Sequence, residues 1–99
     1  MVAVERERMA RFELGRLLAT PGALEAAEGA GDDLREYLNR HARGDWGMVD
    51  DADRRANDRA LIDGTRLLSA YVLRDGRTRI WIITEADRSA TTILLPSEY

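Results

Sequence analysis

The sequence predicts a single α+β domain, in which an antiparallel sheet made of an N-terminal strand and a C-terminal three-stranded meander carries three short helices on one face. Three β-rich segments joined by turn residues between residues 65 and 96 predict the meander. Alternating apolar residues over residues 11–19 predict the N-terminal strand, and three helix-start signals lie between these regions. A chain of 99 residues can build one modest core. We therefore expect residues 1–9 to be a flexible or helical lead-in and residues 10–99 to be the domain.

The first two helices are predicted from residues that can accept backbone hydrogen bonds at a helix N-terminus. Thr20 precedes Pro21, which suits the first helical position, and Gly31 follows as a stop signal. Asp32 would then cap a second helix over residues 33–42. Two short helices in succession are therefore expected directly after the N-terminal strand.

The third helix has the clearest boundaries. Asp50 is expected to cap a helix over residues 51–63, and Gly64 ends it. Its small apolar residues recur at a four-residue interval and predict the stripe that packs on the rest of the protein. That stripe is Ala52, Ala56, Ala60 and Leu61.

The meander has a predicted register because Asp75-Gly76 is typical of a two-residue hairpin turn. An even-length loop at residues 86–89 would also bring Leu94 beside Trp81. Matching size and charge across the strands favours this register. It places four pairs opposite each other: Val72 and Arg79, Ala70 and Trp81, Leu68 and Ile83, and Arg66 and Glu85.

Both faces of the predicted meander are largely apolar, although three short helices can cover only one of them. The core face, which we assign beneath the helices, holds Leu67, Tyr71, Leu73, Ile80, Ile82, Ile93 and Leu95. The other face, called the Trp81 face below, has an aromatic centre and an arginine rim, as protein interfaces do. Its predicted partner-binding residues are Trp81, Arg79, Arg66, Leu68, Val72 and Leu94. Alternatively, the N-terminal segment folds across this face, or the two faces are exchanged.

A secondary candidate site is the loop that follows the second helix. In a catalytic interpretation, that of a toxin-like endoribonuclease, His41 acts as general base, Asp45 orients it and Arg43 binds an anion. In a structural interpretation, Trp46 fills the gap between helices and Asp45 caps backbone amides. We favour the structural interpretation, because a single histidine without a spaced partner is a weak catalytic signal. No catalytic residue is therefore predicted.

The charged residues argue against a broad nucleic-acid surface. All 15 basic residues are arginine, yet the net charge is -3 and the arginines alternate with acids. Binding to a phosphate backbone normally needs a basic stripe. A nucleic-acid-binding accessory protein stays as an alternative because Arg74, Arg77 and Arg79 gather at the hairpin.

Composition excludes further classes of site. The chain has no cysteine and one histidine, so we expect no disulfide, no transition-metal site and no cofactor. No apolar run approaches the roughly 18 residues of a membrane span. The N-terminus alternates charges where an export signal would be apolar. We therefore expect a cytoplasmic protein with no membrane partner.

A resemblance to known proteins rests on six segments of the sequence: residues 10–15, 19–24, 41–47, 54–57, 67–71 and 80–96. Together these segments resemble a family of small bacterial plasmid and mobile-element proteins, some of which carry the label "plasmid-related protein" or "type I restriction endonuclease subunit M". The resemblance covers nearly everything from Met9 onward.

The methyltransferase label has no counterpart in the residues. Adenine methylation needs a glycine-rich cofactor loop and an Asn/Asp-Pro-Pro-aromatic segment, whereas Pro21 and Pro96 lie far apart here. The resemblance implies a mobile-element or host-defence setting. We therefore predict a non-catalytic protein–protein interaction protein with an anti-defence role, which modulates a restriction or CRISPR complex or forms a homodimer through the Trp81 face.

Overall fold

A four-stranded mixed sheet and three α-helices make up the fold in a computed structural model, which describes residues 10–99. The predicted lead-in, residues 1–9, lies outside the described residues. In chain order the elements are β1 (Arg16–Ala19), α1 (Pro21–Ala30), α2 (Leu34–Ala42), α3 (Asp51–Asp63), β2 (Leu67–Val72), β3 (Arg79–Thr84), β4 (Ala90–Leu94) and a 3₁₀ turn (Pro96–Glu98).

The α+β class is confirmed, but the prediction of a purely antiparallel sheet is wrong. The strand order is β1-β4-β3-β2, and β1 runs parallel to β4. The antiparallel pairs β2–β3 and β3–β4 have the predicted register, including Ala70 opposite Trp81 and Trp81 opposite Leu94. The register of these three strands is therefore confirmed, but the four strands do not form a simple meander, because β1 joins β4 in parallel.

The direction of β1 follows from where the chain leaves the sheet. The Thr20 amide donates to Ile93 O (3.0 Å), and α1 then starts at Pro21. The Thr20 hydroxyl donates to Glu98 Oε1 (2.7 Å), so the C-terminal ends of β1 and β4 lie side by side. β1 is also shorter than predicted, because Gly15 adopts a φ of +65° that ends the extended backbone.

Each helix begins at a side chain that accepts a backbone amide. Thr20 accepts from Ala23 N and Asp50 accepts from Asp53 N, as the sequence predicts. The cap of α2 is Asp33, not Asp32. Asp32 instead accepts from the Tyr37 hydroxyl (2.7 Å) and from Arg74 N (2.8 Å), which joins α2 to the hairpin.

The predicted alanine stripe of α3 is wrong at two of its positions. Ala52 and Ala56 are exposed, whereas Asn57 and Ala60 are buried. Asn57 faces inward because its amide pairs with the backbone of Leu68 on β2, at 2.7 Å and 3.0 Å. α3 therefore docks on the outer edge of β2 with a polar side chain where an apolar stripe was expected.

The core lies between the sheet and the first two helices, on the predicted face. Ala23 of α1 and Tyr37 and Leu38 of α2 pack on that face. A second cluster of Trp46, Ala60 and Leu67 fills the space beneath α3. The strand residues of the main cluster are Tyr71, Leu73, Ile80, Ile82 and Ile93, with Leu95 at its margin. Among residues 10–99, no helix is both long and apolar enough to cross a membrane.

Candidate functional site

The Trp81 face is formed by alternate residues of the meander, as the register requires. Trp81, Leu68 and Val72 are half-buried there, and Leu94 is buried. The helices described above pack on the opposite face or on the β2 edge. The half-buried centre of this face is therefore covered by none of these helices, and a short C-terminal segment lies against it.

Tyr99 occupies part of this face, which the sequence did not indicate. Its ring lies edge-on to Trp81 with the ring centroids 5.5 Å apart, and the Arg66 guanidinium lies 5.4 Å from the Tyr99 ring centroid. Arg66 also donates to the Tyr99 hydroxyl. Tyr99 stays 65% exposed, so this Trp–Tyr–Arg cluster is presented to solvent. Pro96, which ends β4, was the one local signal that the chain turns here.

The rim of the Trp81 face carries positively and negatively charged side chains. Arg79, Arg66 and Glu85 are exposed. The apolar part extends further than predicted, because Leu18 of β1 pairs with Thr92, which in turn pairs with Ile83 of β3. The face therefore runs from the hairpin to the outer strand.

His41, the general base of the catalytic interpretation, is fully buried. Its Nδ1 lies 2.5 Å from Ser69 Oγ and its Nε2 lies 2.8 Å from Thr84 Oγ1. Thr84 Oγ1 contacts Thr91 Oγ1 at 2.8 Å, and the Thr91 hydroxyl donates to Leu14 O at 2.7 Å. A chain of three side chains, those of His41, Thr84 and Thr91, therefore connects α2 through the sheet to the segment before β1.

This chain of hydrogen bonds fixes the tautomer of His41. A threonine hydroxyl has one proton, and that of Thr91 goes to Leu14 O, so Thr84 must donate to Thr91. Thr84 then accepts from His41, which places the proton on Nε2, and Ser69 donates to Nδ1. Burial, together with the positive charge of Arg88, lowers the pKa of His41 to about 4. The imidazole is therefore neutral and both of its nitrogens are engaged.

The loop residues that would assist His41 have other partners. Asp45 accepts from Arg40 Nε at 2.8 Å and from Gly47 N at 3.3 Å, and the Arg40 guanidinium lowers the pKa of Asp45. Trp46 is buried beneath α3 and donates to Asp58 Oδ1. Arg43 is exposed at the end of α2. Asp45 is therefore paired with Arg40, and the two nitrogens of His41 contact Ser69 and Thr84 instead.

The hairpin arginines are only partly free. Arg74 lies 3.7 Å from Asp32 and 3.8 Å from Glu36, so its charge is balanced by α2 and the segment before it. Arg77 and Arg79 are exposed. The basic group at the hairpin is therefore reduced to two residues.

An apolar groove beside β1 is a feature that sequence reasoning missed. The groove has a volume of about 450 Å³ and lies between β1, α1 and α2. Leu17 and Leu24 in its wall are 56% and 54% exposed. Alternation within β1 gave no sign of this, since the exposure depends on which strand ends the sheet.

Within residues 10–99, no group of three or more His, Asp or Glu side chains is placed to hold a metal ion. Comparison of the chain with protein-family models, with curated proteins and with solved structures gave no match.

Proposed function

We propose that this protein is a non-catalytic protein–protein interaction protein that binds a larger protein through the Trp81 face. The observation that carries the proposal is the solvent-facing cluster of Trp81, Tyr99 and Arg66. Tryptophan, tyrosine and arginine are the residues that most often dominate binding energy at protein interfaces. The setting, a mobile element or a host-defence locus with a restriction or CRISPR complex as partner, rests on the sequence resemblance alone.

Contacts within the cluster support a binding role. Trp81 lies opposite Ala70 and Leu94 of the neighbouring strands, and Tyr99 is hydrogen-bonded to Arg66 and follows a turn that Glu98 closes on Leu95 N (2.8 Å). Side chains that are already ordered lose little entropy when a partner binds. A partner would therefore gain most of the contact energy of two aromatic rings.

The two alternative functions have weaker support. A ribonuclease would need an accessible base, whereas His41 is buried with both nitrogens engaged. A nucleic-acid accessory protein would need more basic residues than the exposed Arg77 and Arg79 at the hairpin. Interaction with a protein is the function that the arrangement favours.

The test is affinity capture from the source organism with matched variants. Wild type, Trp81→Arg, Tyr99→Ala and the control Ile62→Arg are immobilised, and captured proteins are quantified by mass spectrometry. Ile62 is an exposed apolar residue on α3, beside Arg55, Asp58 and Arg59 of the same helix. We expect a protein captured by wild type and control to decrease at least tenfold with Trp81→Arg and with Tyr99→Ala. Equal capture by a folded Trp81→Arg variant, with unchanged circular dichroism, would contradict the proposal.

A further inference from the structure

The outer edge of β1 presents backbone groups that no described strand pairs. β1 is the last strand in the sheet order, and its inner edge pairs with β4 through the amides of Arg16 and Thr20. Successive residues of a strand direct their N–H and C=O groups to opposite edges. Leu17 and Ala19 therefore direct theirs outward. Among residues 10–99, no backbone partner lies beside them.

The two central side chains of this edge are apolar and lie on opposite faces of the sheet, between the charged Arg16 and Pro21. Leu17 is aligned with the core-face residue Thr91, and Leu18 with Thr92 on the Trp81 face. Leu17 is 56% exposed and Leu18 is 41% exposed. Free edges are normally protected by charged residues, proline or bulges, because they pair readily with other strands. Neither Leu17 nor Leu18 gives such protection.

We propose that a second copy of this chain pairs its β1 antiparallel with β1, so that two sheets join into one of eight strands. Leu17 of each copy lies opposite Ala19 of the other, and the two-fold axis passes between the two Leu18 residues. This register forms four backbone hydrogen bonds, two from each copy. The pairing does not use Trp81, which lies two strands away from this edge, and of the apolar residues of the Trp81 face it covers only Leu18.

The flanking residues make this register the best for self-pairing. A shift by two residues in one direction sets Leu17 against Pro21, which has no N–H. A shift in the other direction sets Ala19 against Gly15, whose φ of +65° takes it out of the extended conformation. Only the register centred on Leu18 uses every outward group of both copies.

Charge complementarity also favours a second copy as the occupant. In this register Arg16 of one copy lies opposite Thr20 of the other. The Thr20 hydroxyl donates to Glu98 Oε1 at 2.7 Å, so the carboxylate of Glu98 is held beside that position. Each Arg16 therefore approaches an acid of the other copy, and symmetry gives this contact twice.

The side chains on the helix-covered face of the β1–β1 junction, called the seam below, fit the same arrangement. Leu17 of the second copy is placed over Ala19, at the mouth of the groove between β1, α1 and α2. Leu24, which is 54% exposed in the groove wall, faces the same seam. Pairing therefore covers the exposed leucines of both faces together with the strand edge.

The first test is the solution mass by size-exclusion chromatography with light scattering over a range of concentrations. We expect wild type and the control Ile62→Lys to approach twice the 11.1 kDa chain mass. Leu18→Lys sets two positive charges on the two-fold axis and should weaken dimerisation at least tenfold. Trp81→Arg should dimerise like wild type, which separates this inference from the proposed function. A wild type that is monomeric at every concentration would overturn the inference.

The second test determines the register by cross-linking. The chain has no cysteine, so Leu18→Cys introduces a single thiol. Directly opposed residues of a non-hydrogen-bonded antiparallel pair have Cα atoms about 4.5 Å apart, which suits a disulfide. We expect mild oxidation to link Leu18→Cys into a covalent dimer, while Ile62→Cys stays unlinked. A wild-type dimer with no Leu18→Cys cross-link, or one that Leu18→Lys leaves intact, would mean that another surface joins the copies.

Discussion

The backbone groups on the outer edges of the two outer strands, β2 and β1, differ in their hydrogen bonding. On β2, Asn57 pairs with both backbone groups of Leu68, and the segment around Gly47 pairs with Ala70 through bonds of 2.7 Å and 3.1 Å. On β1, Leu17 and Ala19 direct their groups outward without such cover in the described residues. The β2 edge is thus covered at Leu68 and Ala70 by other parts of the chain, whereas the β1 edge has no backbone partner among residues 10–99.

This difference predicts which substitutions should lower the stability of the monomer and which should weaken self-association. A buried backbone group that loses its partner costs about 1–3 kcal/mol, whereas a group that faces water costs little. Changes at the β2 edge should therefore lower the free energy of unfolding of the monomer. Changes at the β1 edge should act mainly on self-association.

The largest effect on stability is expected at Gly47, where the chain approaches β2 most closely. A Cβ atom at Gly47 would lie 2.1 Å from Ala70 O, so Gly47→Ala must displace the segment that pairs with β2. We expect the free energy of unfolding, measured by urea denaturation, to fall by about 3–4 kcal/mol, from backbone strain and the lost hydrogen bonds.

Gly64→Ala is the matched control for this substitution. Gly64 has nearly the same φ, +72° against +74°, but its Cβ atom would meet nothing within 4 Å. It should lose only the about 1–2 kcal/mol of a left-handed alanine. Equal losses for the two variants would mean that the close approach to Ala70 contributes nothing.

The second effect is a pH dependence from His41, whose hydrogen-bond chain ends at Leu14 O, just before β1. The pKa of His41 is about 4 in the folded protein, against an ordinary value of 6.5. Since the unfolded chain binds the proton first, stability is complete above pH 6.5 and is lost as the pH falls towards 4. The loss is at most about 3 kcal/mol.

Urea denaturation at a series of pH values measures this loss. His41→Gln, which keeps one donor and one acceptor, should remove the slope between about pH 6.5 and 5.5. The chain has no other histidine, and carboxylates stay ionised in the upper part of the range, so the slope there belongs to His41. A wild type with no slope there would show that His41 takes up its proton without disturbing the fold.

A smaller loss is expected when the β2 edge is uncapped at Asn57. Asn57→Ala leaves the N–H and C=O groups of Leu68 without their partners, and we expect a loss of about 2 kcal/mol in the free energy of unfolding. Asn39→Ala makes the same change in α2, at a side chain without a hydrogen bond among the described residues, and should change stability by less than about 0.5 kcal/mol. If the two losses are similar, Asn57 acts through helix propensity and not through the strand edge.

The smallest effect is expected at the open edge itself. Leu17→Lys replaces a side chain that is mostly exposed, so the unfolding of the monomer, followed at low protein concentration, should change by less than about 0.5 kcal/mol. At high concentration the wild type should gain stability from self-association and the variant should not. A large loss for Leu17→Lys at every concentration would place Leu17 in the core of the monomer and remove the contrast between the edges.

Signals that act over a few residues predicted their part of the structure well. The caps at Thr20 and Asp50, the stop at Gly64 and the hairpin at Asp75-Gly76 each depend on hydrogen bonds or φ angles within about four residues. The hairpin then fixed the register of three strands, because side chains alternate with period two. The core face and most residues of the Trp81 face followed from that register.

The features that prediction missed depend on contacts between distant residues. Tyr99 meets Arg66 across 33 residues, and Thr91 meets Leu14 across 77. The buried position of Asn57 could not be read from α3, because alanine periodicity does not reveal that the neighbouring element is an uncapped strand edge. Each of these depends on where an element docks and not on its own sequence.

The sequence by itself determined the helix starts at Thr20 and Asp50 and the register of the three C-terminal strands with their two apolar faces, since turn chemistry and periodicity are local properties. Only the tertiary structure decided that β1 runs parallel to β4 and forms the outer strand, because alternation is the same for either direction and either neighbour. That placement leaves the groups of Leu17 and Ala19 facing outward. The open edge is therefore a product of packing, whereas the residues that form it are ordinary strand residues.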